Sequence, residues 1–544
     1  MLFSKRKYLV TTIKKLKMKS LKLKILASLA ILITASGCKK EFDEAVKNKN
    51  LPITGLSPAL LLPNIETDMY SAPFSQVERQ NQFTACNYTY YDNNRYWTGS
   101  ASLDYNTLNN VVAMEAESNK LSPTLAKPYL ALAKFFRAYF FVDMTLKVGD
   151  VPMTQALQGL KNPTPAYDTQ KQIFINCLAL LEDANKDLGE MNAVNKITQG
   201  TYVVDSKYDF YFNGDLTKWQ KVVNAFHLRV LIVLSKKTAD ADLNVAGQFS
   251  AIMADPVKYP LLTSMSDNLQ YVYDGVFSIY PNSPRNFGND ATRYNTAATY
   301  INTLSSLNDL RVMMVAEPAR GLGFADTSYK SFVGGLSGQD QSTMTNLIQA
   351  GKLSLIGRHR YYETLTGENT FIIGYPEMCF NIAEAINLGW VGGNAETWYQ
   401  NGIYTDLGFY GVNDGANTVT FQKSGGLLGD DISYQVNFSY SSYYNQAAVK
   451  YAGNNASGRN QILTQKYLAF ARNSGLEAYY QWRRTGVPAF SAGPGNTNDA
   501  QFTIPLRYQY PVNERSANKA NYDAAVQSQF GGKDDIYQVM WILK

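Results

Sequence analysis

Between about residue 57 and residue 250 the apolar residues recur at helical spacing, and that period decides which folds are open to the chain. Across 125–146 the stripe is broad: Leu130, Ala133, Phe136, Phe140 and Met144, with Phe135, Ala138, Tyr139 and Phe141 beside them. Such a stripe predicts a buried helix, and the Gly149-Asp150-Val151-Pro152 turn stops it. Thr169 and Gln172 have capping-box spacing. Behind them Ile173, Cys177, Leu180, Leu181, Ala184 and Leu188 repeat at helical intervals. Asp215 or Thr217 is placed to cap a helix carrying Trp219, Val222, Val223, Phe226, Val230 and Val233. A further pair, 377–388 and 395–409, is joined by Gly389-Trp390-Val391-Gly392-Gly393. Paired helices with short links are the units of solenoids, although no repeat period emerges from the sequence itself. The expectation is a mostly α body.

Residues 85–110, 265–300, 320–370 and 410–460 differ in character, being rich in Tyr, Asn, Gly and Ser. Loops of that length inside a packed chain are functional surfaces or disorder, and their aromatic content argues for the first. The aromatic set is dominated by 38 Tyr, against 26 Phe and 6 Trp. Tyr joins a flat apolar face to a hydroxyl, which suits wet binding surfaces. Three clusters stand out. The first runs from Asn87 through Tyr88, Tyr90, Tyr91, Asn93, Asn94, Arg95 and Tyr96 to Trp97. A second spans 271–287 and includes Tyr280, Arg285 and Phe287, and a third spans 439–445. Sugar rings offer C–H faces and a rim of hydroxyls, so a binder needs flat aromatics for stacking and Asn, Asp or Arg for the rim. Peptide backbones answer to the same chemistry, and the clusters name only a class of polar ligand.

The N-terminus carries an export pattern. Residues 5–24 are basic, 25–35 form an eleven-residue apolar run, and Ala35-Ser36-Gly37 leads into Cys38. Eleven residues are too few for a membrane-spanning helix, and the order is that of a secretory signal, with Met18 an alternative start. A Cys right after the small residues marks a lipoprotein leader, whose thiol takes the lipid that anchors the mature chain. The expected organisation is a signal peptide over 1–37, a lipidated Cys38 with a tether to residue 56, and a single domain over 57–544. Nine of the 51 Lys and Arg lie in residues 1–37, which hold no acid; the other 42 face 45 acids, a net of −3. That balance lacks the basic excess of a nucleic-acid binder.

Chemistry is sparse. The chain has two histidines, His227 in a helical segment and His359 between Arg358 and Arg360. It contains no H-E-x-x-H, C-x-x-C, P-loop or G-x-S-x-G pattern. His227 reads as a core or boundary residue, and His359 as part of a solvated charged turn. Cys177 and Cys379 sit among apolar residues and read as small core hydrophobes. Glu384, within Ile382-Ala383-Glu384-Ala385, reads as a buried hydrogen-bonded acid between helices. Asp92-Asn93-Asn94 and Gly288-Asn289-Asp290 offer oxygen ligands without EF-hand spacing. These residues speak against catalysis by histidine or a transition metal, while a carboxylate pair and an oxygen-lined calcium site stay open; no cofactor is expected.

Several ordered blocks resemble the SusD/RagB family of surface nutrient-binding lipoproteins, in its divergent SusD-like branch. They are Phe136-Arg137-Ala138-Tyr139 with Gly149-Asp150-Val151-Pro152, and Asn213-Gly214-Asp215-Leu216-Thr217-Lys218-Trp219 with Asn224-Ala225-Phe226-His227-Leu228-Arg229. Asn308-Asp309-Leu310-Arg311, Phe380-Asn381-Ile382-Ala383-Glu384-Ala385, Trp482-Arg483-Arg484-Thr485-Gly486-Val487-Pro488 and Ile504-Pro505-Leu506-Arg507 follow in order. The resemblance implies a tetratricopeptide-like helix-pair scaffold with long loops and a few short strands. It also implies no enzymatic activity, and a cell-surface position on the outer membrane. The role it implies is capture of oligosaccharides, or in some members peptides, as a lid on a SusC-like TonB-dependent barrel; a protein that only holds partners on the barrel is a further alternative. By position it carries ligand contact to Asn93, Arg95, Tyr96, Trp97, Tyr280, Phe287 and Arg293.

Overall fold

Helices supply the frame because their apolar stripes have each other to pack against. The computed structural model describes residues 56–288 and 290–544, and Ser57–Lys544 forms one compact unit. The leader, Cys38 and the tether lie outside the described residues, as does Asn289 of the second candidate oxygen cluster.

The frame begins with α1 (Tyr105–Ser118), α2 (Pro123–Val148), α3 (Gln170–Ile197) and α4 (Leu216–Val233). Pro opens α2, where the missing N–H costs nothing. The Thr169 side chain accepts from Gln172 N to start α3, and Asp215 rather than Thr217 caps α4, accepting from Thr217 N and Lys218 N. Gly149 ends α2 at φ +100°, and a Cβ there would lie 2.3 Å from Gln529 Oε1. α1 packs on α2, α2 on α3 and α3 on α4, sharing a core through Phe135, Phe136, Cys177, Trp219 and Phe226. Two more helices, α5 (Tyr375–Asn387) and α6 (Ala395–Phe409), fold back on each other as the spacing predicts. α7 (Ala456–Ala469) packs on both, and α8 (Glu477–Thr485) follows it.

Strands are few and short. β1 (Thr84–Cys86) pairs with β3 (Tyr294–Thr296), and β2 (Leu269–Tyr271) with β4 (Thr370–Ile373), both antiparallel. β5 (Gly415–Gln422) and β6 (Asp431–Phe438) form a hairpin in which Gly415 faces Phe438 and Gln422 faces Asp431. The sequence reading treats 410–460 as loop, and this hairpin corrects it. Asn417, Val419 and Phe421 of β5 are buried, and along β6 the apolar Ile432, Tyr434, Val436 and Phe438 alternate with polar residues, the period-2 pattern of a half-buried strand. The expected loop at 85–110 also ends early, because α1 begins at Tyr105.

Charged residues hold the frame in its interior. Arg311 is fully buried and donates to Asp309 Oδ2 at 2.6 Å, to Gln465 Oε1 at 3.0 Å and to Asp406 on α6. Glu384 on α5 meets Arg484 at 2.6 Å, the buried hydrogen-bonded acid that its apolar surroundings suggest. His227 is buried with Nε2 3.1 Å from Gln248 Oε1, and burial lowers its pKa to about 4. Cys86, Cys177 and Cys379 are free and buried.

Sequence-distant segments close the unit. Arg472 donates to Glu78 Oε2 at 2.6 Å, and Tyr467 Oη donates to the Gln82 carbonyl at 2.9 Å. Asn81 Nδ2 reaches the Gly475 carbonyl at 3.0 Å, and Trp97 Nε1 the Arg507 carbonyl at 2.7 Å.

Candidate functional site

The β1–β3 pairing sets the geometry of the first aromatic cluster, because the loop 87–97 leaves β1 directly beside the end of β3. Asn94 pins the loop to its own strand: Oδ1 accepts from Cys86 N at 2.7 Å and Nδ2 donates to Cys86 O at 2.8 Å. Arg79 holds the turn from beneath, pairing with Asp92 and donating from Nε to the Asn93 carbonyl at 3.0 Å. Asn87 Nδ2 then ties the loop to the Thr292 carbonyl at 3.0 Å. A fixed base of this kind raises the loop tip into solvent without leaving it slack.

Three rings occupy that tip. Tyr90 is 85% exposed and Tyr88 43%, and Tyr91 lies within 6.2 Å of both ring centroids. The Arg293 guanidinium lies 4.5 Å from the Tyr88 ring centroid, a cation–π arrangement that holds the ring in one orientation. Asn93 and Arg95 are exposed on the same loop. Arg95 Nη1 donates to the Thr497 carbonyl at 2.8 Å, which holds its guanidinium against the C-terminal region. The tip thus joins flat rings to the Arg293 guanidinium, with Asn93 and Arg95 exposed on the same loop.

The seven residues expected to touch ligand divide on this geometry. Asn93, Arg95 and Arg293 belong to the tip just described. Phe287 is half-buried, edge-on to Tyr362 at 5.5 Å, with the Arg358 guanidinium 5.5 Å away. Tyr96, Trp97 and Tyr280 are buried and offer no open ring face. Tyr96 Oη donates to the Gln80 carbonyl at 2.8 Å, and Trp97, only 9% exposed, stacks on Tyr508 at 3.8 Å. Tyr280 lies edge-on to Tyr273 at 4.9 Å and over Gly367, where a Cβ would come within 2.3 Å of its ring. Tyr88 and Tyr90, within the same cluster, take the exposed places, with Tyr91 half-buried between them. The turn-forming Asp92-Asn93-Asn94 that follows directly is the signal that marks them.

The other clusters contribute less. In the second, Asp274 Oδ1 accepts from the N–H groups of Val276, Phe277 and Ser278 and so lifts Phe277, 95% exposed, off the surface. In the third, Tyr443 and Tyr444 are core residues. His359 stands about half exposed with Nδ1 2.7 Å from Glu363 Oε2 and 3.0 Å from Asp431 Oδ2. Among the described residues these three are the one group of metal-capable side chains gathered within 4.8 Å. Arg358 beside it is buried rather than solvated, and Arg360 pairs with Glu368 at 2.5 Å, so only the histidine of that turn faces water. No helix among the described residues is long and apolar enough to cross a membrane.

Comparison with known proteins bears on the whole chain. A SusD-like family model described as "Starch-binding associating with outer membrane" matches residues 58–511. No curated protein matches at a significant level. Among solved structures, a SusD homologue from Bacteroides fragilis is 27% identical with a TM-score of 0.76, covering 90% of this chain and 100% of its own. A Bacteroides vulgatus protein classed with the outer membrane and with nutrient binding is 28% identical, TM-score 0.73, covering 90% and 100%. A chitin-binding protein at 22% identity and TM-score 0.62, covering 89% and 99%, shares the fold. The mostly α, tetratricopeptide-like frame, the few short strands and the family match over most of its length agree: the chain belongs to the SusD-like family of outer-membrane nutrient-binding proteins.

Proposed function

We propose that this protein captures oligosaccharides on the face formed by the loop 87–97 and Arg293, and acts as the lid of a SusC-like TonB-dependent barrel. The observation that carries this reading is the exposed pair Tyr88 and Tyr90 about half-buried Tyr91, beside Arg293 and on a loop that also exposes Asn93 and Arg95, its base fixed by Asn94 and Arg79. Rings stack on the C–H faces of a sugar, and the amide and guanidinium groups take its hydroxyls. Nothing in the reading requires turnover of the ligand; the protein holds the sugar and hands it on.

The test is calorimetry on the best oligosaccharide from a glycan-and-peptide array, with Tyr88→Ala and Tyr90→Ala combined. Each stacked ring contributes about 0.5–1.5 kcal/mol beyond its burial, so the double variant weakens binding about tenfold or more. Its melting temperature stays unchanged, because both rings stand clear of the core. Unaltered affinity dismisses the loop face, and hits confined to peptides move the ligand class to peptides.

Lipid on Cys38 is the proposed anchor to the outer membrane, since a lid must stay attached while it swings. Two or more acyl chains hold a protein stably where one is marginal. Cys38→Ala is expected to leave the membrane fraction after a salt wash; retention there would mean a different anchor.

A further inference from the structure

A cavity of about 320 Å³ opens between α2, α4 and the start of α8, with Ala101, Ser102 and Asp104 of the segment before α1 on its wall. That is the lower end of the range for small-ligand pockets, about 300–1,000 Å³. Part of its wall is apolar, with Phe140, Val230 and Leu476. The rest carries charged side chains, Asp104, Asp143, Lys147 and Glu477 being partly exposed.

Asp104, Asp143 and Glu477 line the cavity, with Asp68 at its edge accepting from Thr107 Oγ1 at 2.5 Å. Two cations answer them. Lys147 pairs with Asp143 and reaches Asp104 at 3.4 Å. Arg229 is 3.4 Å from Glu477, but its fork closes on Glu377, with Nε to Oε1 at 2.6 Å, and on the Ile372 carbonyl at 2.6 Å. The carboxylates thus outnumber the cations facing them. Burial, with Asp143 alongside, pushes Asp104 up to about 7 against the pull of Lys147. Burial likewise raises Glu477, with Glu377 and Asp143 adding to it against Arg229.

A second, independent feature lies on the same wall. Tyr480 is only 5% exposed, and its buried hydroxyl has no hydrogen-bond partner. Its electrostatic neighbours are Asp143 and Glu477, together with Arg483 and Tyr508. A buried hydroxyl is ordinarily satisfied, and this one lines a space with room for a partner.

The chemistry of that partner follows from the spacing. Among the described residues, metal-capable groups gather within 4.8 Å only at His359, Glu363 and Asp431, so the cavity's carboxylates are too dispersed to enclose a bare ion. An ammonium group suits them, since its N–H donors point in separate directions. The rings of Tyr139, Tyr480 and Tyr508 on the wall add cation–π attraction, and Phe140 and Val230 accommodate an apolar stem. We propose that this cavity binds a small protonated amine carrying a short apolar stem.

The experiment is calorimetry on the purified full chain with pentylamine, and with glucosamine as the amino-sugar source of the same ammonium group. Valerate, of matching length and opposite charge, is the control. Saturable binding of pentylamine without binding of valerate is expected; glucosamine binding as well would place the source among amino sugars, and its absence among simple amines. Glu477→Gln removes a charge and is expected to weaken binding about tenfold, the scale of a charge-assisted hydrogen bond. Tyr480→Phe keeps the ring and deletes only the unpartnered hydroxyl. It should weaken binding several-fold while leaving the melting temperature at or above that of the parent, which covers the case in which Glu477→Gln does not fold. Silence with both amines at millimolar concentration, equal binding of valerate, or full affinity in Tyr480→Phe would overturn the proposal.

Discussion

Trp97→Ala is expected to lose about 3–5 kcal/mol of folding stability, the range for deleting a large buried aromatic. The ring stacks on Tyr508 at 3.8 Å, meets Tyr479 edge-on at 5.2 Å, and spends its N–H on the Arg507 carbonyl. Truncation opens a cavity between three segments and strands that carbonyl. Trp97→Phe keeps most of the stack and loses mainly the hydrogen bond, a cost of about 1 kcal/mol. Urea unfolding separates the two variants. If Trp97→Ala unfolds at the parent's midpoint, the ring is not structural and returns to candidacy as a ligand contact.

Arg311→Met should be comparably severe. It leaves Asp309 and Asp406 facing each other without their shared cation, and breaking a buried pair from one side costs about 3–5 kcal/mol. The loss depends on pH in a defined direction. Burial already raises Asp406 above its ordinary value, with Arg311 opposing that rise. Without the guanidinium the folded state holds a proton on Asp406 that the unfolded chain gives up. Stability of the variant therefore falls as pH climbs from the ordinary carboxylate range through the raised folded value. Denaturant midpoints should show a smaller deficit at mildly acidic than at neutral pH. A deficit that does not vary with pH would mean the acids find another cation. Adding Asp406→Leu should return part of the loss by removing one of the stranded charges.

The helices were legible because their information is local. The apolar spacing of 125–146 and the Thr169 cap need no knowledge of what lies across the core, and α2 and α3 form where those signals stand. Glu384 was legible for the same reason, since an acid flanked by Ile382, Ala383 and Ala385 must be buried and must find a partner. The hairpin 415–438 was equally local, in the alternation Ile432-Ser433-Tyr434-Gln435-Val436-Asn437-Phe438, but the Tyr-, Asn-, Gly- and Ser-rich composition of 410–460 reads as loop when period is not weighed against it. Trp97 shows the sharper limit. A loop rich in Tyr, Asn and Arg announces a binding surface, but which of its rings face water depends on what meets them. Here that is Tyr479 and Tyr508, nearly 400 residues further on, and no local pattern in 87–97 names them. The tip residues Tyr88 and Tyr90 escape that burial because the turn carries them past it.

The pairs Glu78–Arg472, Asn81–Gly475, Gln82–Tyr467 and Trp97–Arg507 tie the beginning of the domain to its end. A chain that emerges N-terminus first carries Glu78, Asn81 and Trp97 without their partners until the last fifth of the sequence follows. Closing loops of that length is entropically costly, and folds dominated by distant contacts are slow to complete. The helix pairs of the first half find their main packing partners in each other, whereas the seam between 78–97 and 467–507 closes only when the last segments arrive. Trp97 and Glu78 therefore stand as a late clasp on a frame whose local parts are already complete.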